Sequence, residues 1–476
     1  MVDIPIINLN SPFIADTINW WLVLFTFLVS STIVIRTIIA KDNPVTLTWN
    51  LFRNNTIKFC IKYNIYPGVI RLKIIIIFII VTISLFFGLQ NETHPGLIVI
   101  WIAGWYMVML LFIFGGRIWC SVCPVLFISL LLPGRYNLKI NNSIATYLAL
   151  LFFALLSFLH YETPLAHQPV YSAIFLVIFF FSGLCINMLS SNYSWCNNIC
   201  PLLIFGKAYS GFSALIVKSN HMRESAKNGK STTNFCPAKI NSLKKIKSSK
   251  CIYCMNCISE SSSEQNSLYL CIPFQKEKHS SLRFLKGTIV LFLWAMLTYH
   301  CCRLKVFWNP IIIQTNQYLH IPSWGINLMF IIFTILIFKV LFGVAAVCIE
   351  NDKKNDTYYR LINNSIPLLL CFHIILIFYG ISSEFNWVVY CFNNLFSLDM
   401  DVIYYTRDGM AVWDMFNEKT LNIVNYILIA AGTTAMIVFN LGFKTTATKL
   451  KSNIFCILLS LIIGLLIYQQ NVGGGC

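Results

Sequence analysis

The sequence predicts an all-α polytopic membrane fold of about ten transmembrane helices, interrupted by one polar, cysteine-bearing insert. Three observations carry that reading. Of 476 residues, 57% are hydrophobic and only 11% are charged, where a soluble chain carries about 25% charged residues. Apolar runs of roughly bilayer-spanning length recur along the chain. Its basic residues fall almost entirely on alternate connecting segments.

In order, the expected spans lie near Ile18–Ile35, Ile74–Leu89, Pro95–Gly115, Ile144–His160, Tyr171–Leu189, Gly287–His300, Trp324–Cys348, Pro367–Ile381, Leu421–Leu441 and Ile454–Tyr468. The first has no basic residues before its apolar run, so it reads as a transmembrane helix rather than a cleaved secretory signal. The segments 36–73, 117–139, 207–286, 353–360 and 444–451 hold 30 of the 35 Lys and Arg residues. The opposite side holds only Arg303, Lys305, Arg407 and Lys419, and Lys339 lies within a span. The positive-inside rule then puts both termini outside and the basic loops in the cytoplasm. The net charge of +17 is an orientation signal in this reading, and nucleic acid is not an expected partner. Lipid is.

Three regions follow: an N-terminal membrane domain (1–211), a polar cytoplasmic segment (212–282) and a C-terminal membrane domain (283–476). The middle segment, rich in Ser, Lys and Asn, is too small for a large core and needs a staple such as a metal cluster. A second polar stretch, 384–420, falls outside and carries no assigned chemistry. One internal repeat is visible. Trp119-Cys120-Ser-Val-Cys123-Pro124 follows the third span, and Trp195-Cys196-Asn-Asn-Ile-Cys200-Pro201 follows the fifth. Each ends a helical hairpin at a cytoplasmic exit.

Six of the 18 cysteines, Cys60, Cys185, Cys271, Cys348, Cys371 and Cys456, lie singly and read as small buried hydrophobes. Cys301, Cys302 and Cys391 are expected outside, where disulfides are permitted. Cys251-Ile-Tyr-Cys254-Met-Asn-Cys257 is different, because C-x2-C-x2-C spacing turns three thiolates toward one cluster. The position of a fourth, following cysteine is Ser261, while Cys236-Pro237 stands upstream. Cys236, Cys251, Cys254 and Cys257 therefore form one whole four-cysteine site, an iron–sulfur centre or a zinc site. Both halves of a second ferredoxin-type site are missing together. Cys120, Cys123, Cys196 and Cys200 form another constellation, able to hold a further cluster, to act as dithiol pairs, or to pack. Trp119 and Trp195 read as interfacial anchors.

The order of these motifs over roughly residues 72–275 resembles the polyferredoxin-like membrane proteins. These are the quinol-dehydrogenase-type 4Fe-4S proteins associated with nitrate and nitrous oxide reduction. The resemblance implies a [4Fe-4S] cluster in a ferredoxin-like cytoplasmic insert, quinol or a redox protein as partner, and a bacterial plasma (inner) membrane location. It implies an electron-transfer role, as an oxidoreductase component without an assigned catalytic residue. The alternative is a metal-handling or maturation factor, since soft thiolates also select Cu(I). The chain departs from the family in its first pair, C-x2-C-P instead of C-x3-C-P, and in its last five helices. His94, His160, His167 and His300 sit at the outer ends of spans and read as interfacial groups in contact with water. Neither haem ligation nor a quinol base is assigned to them, and His373 lies within a span. The terminal Gly-Gly-Gly-Cys476 reads as a frayed tail.

Cys254→Ser should lose one whole cluster, and Ser261→Cys alone should not create a second. Iron content per chain checks both.

Overall fold

The computed structural model describes scattered residues between 23 and 34, then residues 48–91, 94–132, 140–190, 193–209, 213–218, 251–256, 267–271, 283–303, 308–350, 354–378, 418–441 and 445–471. Among them, nine helices are long and apolar enough to cross a membrane. They run over Ile65–Phe87, Pro95–Gly115, Ser143–His160, Pro169–Leu189, Leu285–Cys302, Ser323–Ile349, Asn355–Phe378, Thr420–Asn440 and Thr446–Leu465. They match nine of the ten expected spans. Most of the first expected span lies outside the described residues. The chain is a multi-pass, all-α membrane protein.

What makes these segments helices is composition. Long runs of Ile, Leu and Phe leave backbone groups that only an intra-segment ladder can satisfy in hydrocarbon. Helix α1 (Ile70–Phe87) is apolar all round, buries only Leu85, and leaves Ile76, Ile77, Ile79, Ile80 and Ile83 on its surface. A water-soluble helix would hide those side chains; here lipid is their solvent.

The described residues form two compact units. The first to be considered comprises residues between 42 and 92 and between 99 and 289. Besides α1 it contains α2 (Trp105–Gly115), α3 (Ile118–Val122), α4 (Pro124–Leu131), α5 (Asn142–Glu162), α6 (Pro169–Leu189) and α7 (Leu203–Tyr209). It also holds a small antiparallel sheet of β1 (Thr48–Asn50), β2 (Leu215–Lys218) and β3 (Ser267–Cys271), in the order β1-β3-β2. Asn50 stands opposite Tyr269, and Ile216 opposite the same residue on the other edge. The sequence reading missed β1, because three residues in a basic loop carry no strand pattern of their own. They pair only because β3 offers them an edge.

Aromatic side chains pack this unit. Trp105 stacks on Phe153 at 6.2 Å, Phe153 meets Phe205 edge-on at 5.3 Å, and Phe205 stacks on Tyr209 at 6.4 Å. Phe78 of α1 meets Phe180 of α6 at 5.3 Å.

The other unit contains the helices from residue 290 onward. Buried polar side chains join them. Trp294 Nε1 donates to Ser365 Oγ at 3.1 Å, and Trp294 also stacks on Phe338 at 5.7 Å. Asn364 Nδ2 donates to Asn440 Oδ1 at 2.8 Å, and Asn440 Nδ2 reaches both Ser452 O (3.2 Å) and Cys456 Sγ (2.8 Å). Thr433 and Ser460 share a further bond at 2.7 Å. Such interhelical bonds hold helices together where apolar surface gains nothing by leaving lipid. Cys301 and Cys302 lie buried at the end of the span Leu285–Cys302.

Asn440→Leu should lower stability by roughly 1 kcal/mol, because it unties three partners at once. Thermal unfolding in detergent micelles measures it.

Candidate thiol site

The two Cys-Pro motifs have the same local architecture. Gly116, at φ +66°, turns the chain after α2 into the short helix α3, a backbone conformation that glycine adopts without strain. Cys120 lies on that helix, and Cys123 leaves it in extended conformation as the residue before α4. Pro124 then occupies the first turn of α4, where its missing N–H costs nothing. In the second motif, Trp195–Ile199 forms one wide helical turn closed by Cys200 N donating to Trp195 O at 2.8 Å. Cys200 is extended again, and Pro201 leads into α7. The repeat seen in the sequence is thus a repeat of backbone shape.

Arg117 ties the motifs together. Its side chain is 3% exposed, and Nη2 donates to Cys196 O at 2.6 Å and toward Asn197 Oδ1 at 3.4 Å. Asn187 of α6 does comparable work from the other side. Its Nδ2 donates to Ser129 Oγ (3.0 Å) and Cys196 Sγ (3.2 Å), and its Oδ1 accepts from Trp195 N (3.1 Å). Gly183 lets α6 approach closely, since a Cβ there would meet Trp195 Nε1 at 2.9 Å. Trp195, expected as an interfacial anchor, is therefore buried, packed on Phe179 (5.3 Å) and Phe152 (6.0 Å).

The loop Cys251–Met255 lies against these motifs. Cys251, Tyr253 and Met255 pack with Ile61, Val217 and Leu268, on the side of the small sheet. Ile252 and Cys254 pack into the cluster that contains Cys196, with Cys120, Cys123 and Cys200 at its margin. Alternate residues thus face alternate sides. Tyr253 (φ +53°) and Met255 (φ +61°) both hold left-handed backbone conformations, costly for residues with side chains and tolerated where packing imposes them. The packing is explicit. Tyr253 Oη donates to Leu215 O at 2.8 Å, and Tyr253 O accepts from Tyr66 Oη at 3.2 Å. Tyr66 Oη also bonds Ser121 Oγ at 2.6 Å, joining the loop to the first Cys-Pro turn. Tyr253 N donates to Cys251 Sγ at 3.4 Å.

Cys120, Cys123, Cys196 and Cys200 are near one another: Cys120 acts on Cys123, and both act on Cys196 and Cys200. Burial, with Cys120 beside it, pushes the Cys123 thiol up to about 11. Cys200 is raised by burial, then by Cys120 and Cys123. Cys196 is raised by burial and Cys123, while the Asn187 bond pulls it down. Three cations surround these sulfurs. Arg117 holds Cys196 O, Arg71 is near Cys254, and half-buried Lys207 is near Cys200, with Nζ donating to Thr146 Oγ1 at 3.2 Å. Burial and then Arg117 pull the Lys207 ammonium down to about 8. Neither Arg71 nor Lys207 meets a carboxylate among the described residues.

Among the described residues, no group of three or more histidine, cysteine or carboxylate side chains stands as a metal cage. The sulfurs are neighbours rather than convergent. Of the expected four-cysteine site, Cys251 and Cys254 pack into two different clusters, and Cys236 and Cys257 lie outside the described residues, as do Cys391 and Cys476. In kind, the donors suit an iron–sulfur centre: soft thiols, N–H donors to sulfur, little water and surrounding positive charge.

Of the histidines, His167 is exposed as expected, and His94 differs from expectation. His94 is buried, and its Nδ1 accepts from Gly96 N at 3.0 Å, capping the helix that starts at Pro95. His160 packs on Trp101 at 5.0 Å, and Trp101 Nε1 donates to Ser172 Oγ at 2.8 Å. Comparison of the chain with protein-family models, curated proteins and solved structures finds no match.

Asn187→Leu should destabilise the protein by about 1–3 kcal/mol, because Trp195 N–H is left buried without an acceptor. Thermal unfolding reads that loss.

Proposed function

We propose that the chain is a membrane-bound iron–sulfur electron-transfer protein. It passes electrons between the quinol pool or a cytoplasmic donor and a respiratory or periplasmic acceptor. One observation carries the reading: Cys254 of the C-x2-C-x2-C motif packs into the same buried cluster as the thiols of both Cys-Pro motifs. Three stretches of chain far apart in sequence thereby bring their cysteines to one place, and inert packing cysteines have no reason to gather.

The proposed ligands are Cys236, Cys251, Cys254 and Cys257 for one [4Fe-4S] centre. Cys120, Cys123, Cys196 and Cys200 form the candidate set for a second. Such a centre, when bound, takes up and releases single electrons. The chain's own residues supply the surroundings. Asn187 and the backbone donate to sulfur, Trp195 and Phe179 exclude water, and Arg71, Arg117 and Lys207 offset negative charge. Cys254 shares a packed cluster with the Cys-Pro thiols, which would make a hop between the two centres short. That packing also agrees with a single-sided placement, since the loops 117–139 and 207–286 both belong to the basic, cytoplasmic side by the positive-inside rule. On that placement the termini are outside; a bacterial plasma membrane is what the family resemblance implies.

Dithiol exchange is the weaker use of these thiols. Its nucleophile is an accessible thiolate, whereas Cys196 is buried, Cys123 and Cys200 are partly buried, and all three thiols are raised. A centre that binds metal removes the proton outright.

Anaerobically purified protein should show iron–sulfur charge-transfer absorption, with iron and acid-labile sulfide in equal amounts, and a quinol analogue should bleach it. Zinc in place of iron would overturn the assignment. Iron that quinol does not reduce, together with Cu(I) binding, would instead favour the maturation role.

A further inference from the structure

The span Ser323–Ile349 has two faces of different kind. One carries Ile331, Thr334, Phe338, Phe342 and Ala345, all buried. The other carries Ile332, Leu336, Lys339, Gly343 and Val347 at intervals of three and four residues, which places them in one stripe. Ile332, Leu336 and Val347 are all exposed, and nothing lies within 4 Å of where a Cβ on Gly343 would stand. Lys339 is exposed as well, and it makes no hydrogen bond or ion pair with the described residues.

The depth of that ammonium is what needs an explanation. Lys339 stands ten residues before the end of a 27-residue helix, about 15 Å at a rise of about 1.5 Å per residue. The helix, about 40 Å long, overhangs a hydrocarbon layer of about 30 Å by about 5 Å at each end. The charge is therefore carried about 10 Å inside the apolar layer. Lysine near the end of a span escapes by stretching to the interface. Here the nearer edge lies toward the C-terminal end of the helix, whereas helical side chains lean toward the N-terminal end. A cation so placed is costly in lipid and calls for a counter-charge.

The chain does not supply one from its own spans. Among the nine spans the one carboxylate is Asp356, near the start of its span and paired with Arg360 at 3.3 Å, and residues 18–35 hold none. A second copy of this chain brings no acid to that depth either. We propose that the face from Ile332 to Val347 docks a transmembrane helix of a different membrane protein, one that carries an Asp or Glu within the bilayer to pair with Lys339. Gly343, one turn on, lets that helix approach closely, as small residues do between membrane helices. This contact does not depend on the iron–sulfur reading.

A designed helix can stand in for the partner. A leucine-rich transmembrane peptide of about 20 residues with one central Glu, and its all-Leu counterpart, are titrated onto labelled full-length protein in phosphatidylcholine vesicles, with energy transfer as the readout. The Glu peptide should bind wild type about tenfold more tightly than the Leu peptide. Lys339→Leu should erase that preference and Lys339→Arg should keep it. Both substitutions fall on an exposed face, so each variant should elute as wild type does in detergent. Equal binding of the two peptides by wild type, or a Glu preference that survives Lys339→Leu, overturns the proposal. Self-association that needs Lys339 but no peptide also overturns it, because a second copy is then the occupant. Loss of the preference once phosphatidylglycerol is added overturns it too, because a lipid headgroup is then the counter-charge.

Discussion

The base of the N-terminal hairpins is held by the buried contact between the Arg117 guanidinium and the carbonyl of Cys196, at 2.6 Å. A charged hydrogen bond of this kind is short and strong, and low dielectric strengthens it further. It joins the turn that ends one hairpin to the turn that ends the next. With Asn187 holding Trp195 N and Cys196 Sγ from the opposite side, the second motif has no freedom to move away from the first. The position of all four Cys-Pro thiols follows from that, and so does the surface on which the Cys251–Met255 loop lies.

Lipid imposes the other constraint. Apolar helices gain little by hiding their side chains from hydrocarbon, so contacts between them rely on polar bonds and shape. The chain uses both. In one unit, Asn364, Asn440 and Ser365 bridge helices through their amide and hydroxyl groups. In the other, glycine at 183 lets an indole approach a helix backbone, and aromatic rings fill the space between spans. In the thiol site, Tyr66, Arg71 and Arg117 combine long apolar contact with a polar tip.

Much of the fold was legible because the signals are local. Bilayer-length apolar runs and the one-sided distribution of Lys and Arg identify the spans without reference to any distant residue. The Cys-Pro repeat was equally legible, since its cysteine spacing and proline are local, although Pro124 opens α4 and Pro201 stands two residues before α7. Other features were not. Nothing around Thr48–Asn50 marks a strand, because its pairing partner, β3, lies more than two hundred residues away. Trp195 looked like an interfacial anchor until Gly183, on a neighbouring helix, opened a place for it inside. His94 looked water-exposed, and its local role as a helix cap emerges only from backbone geometry.

The sequence by itself determined a multi-pass membrane protein, the rough positions of nine of its spans, and the spacing of its cysteine motifs. Length, hydropathy and charge act residue by residue, so these need no knowledge of packing. Only the tertiary structure decided that Cys254 adjoins the Cys-Pro thiols and that Arg71, Arg117 and Lys207 surround them. Those are contacts between segments remote in sequence, set by which helices pack together, and no local pattern encodes them.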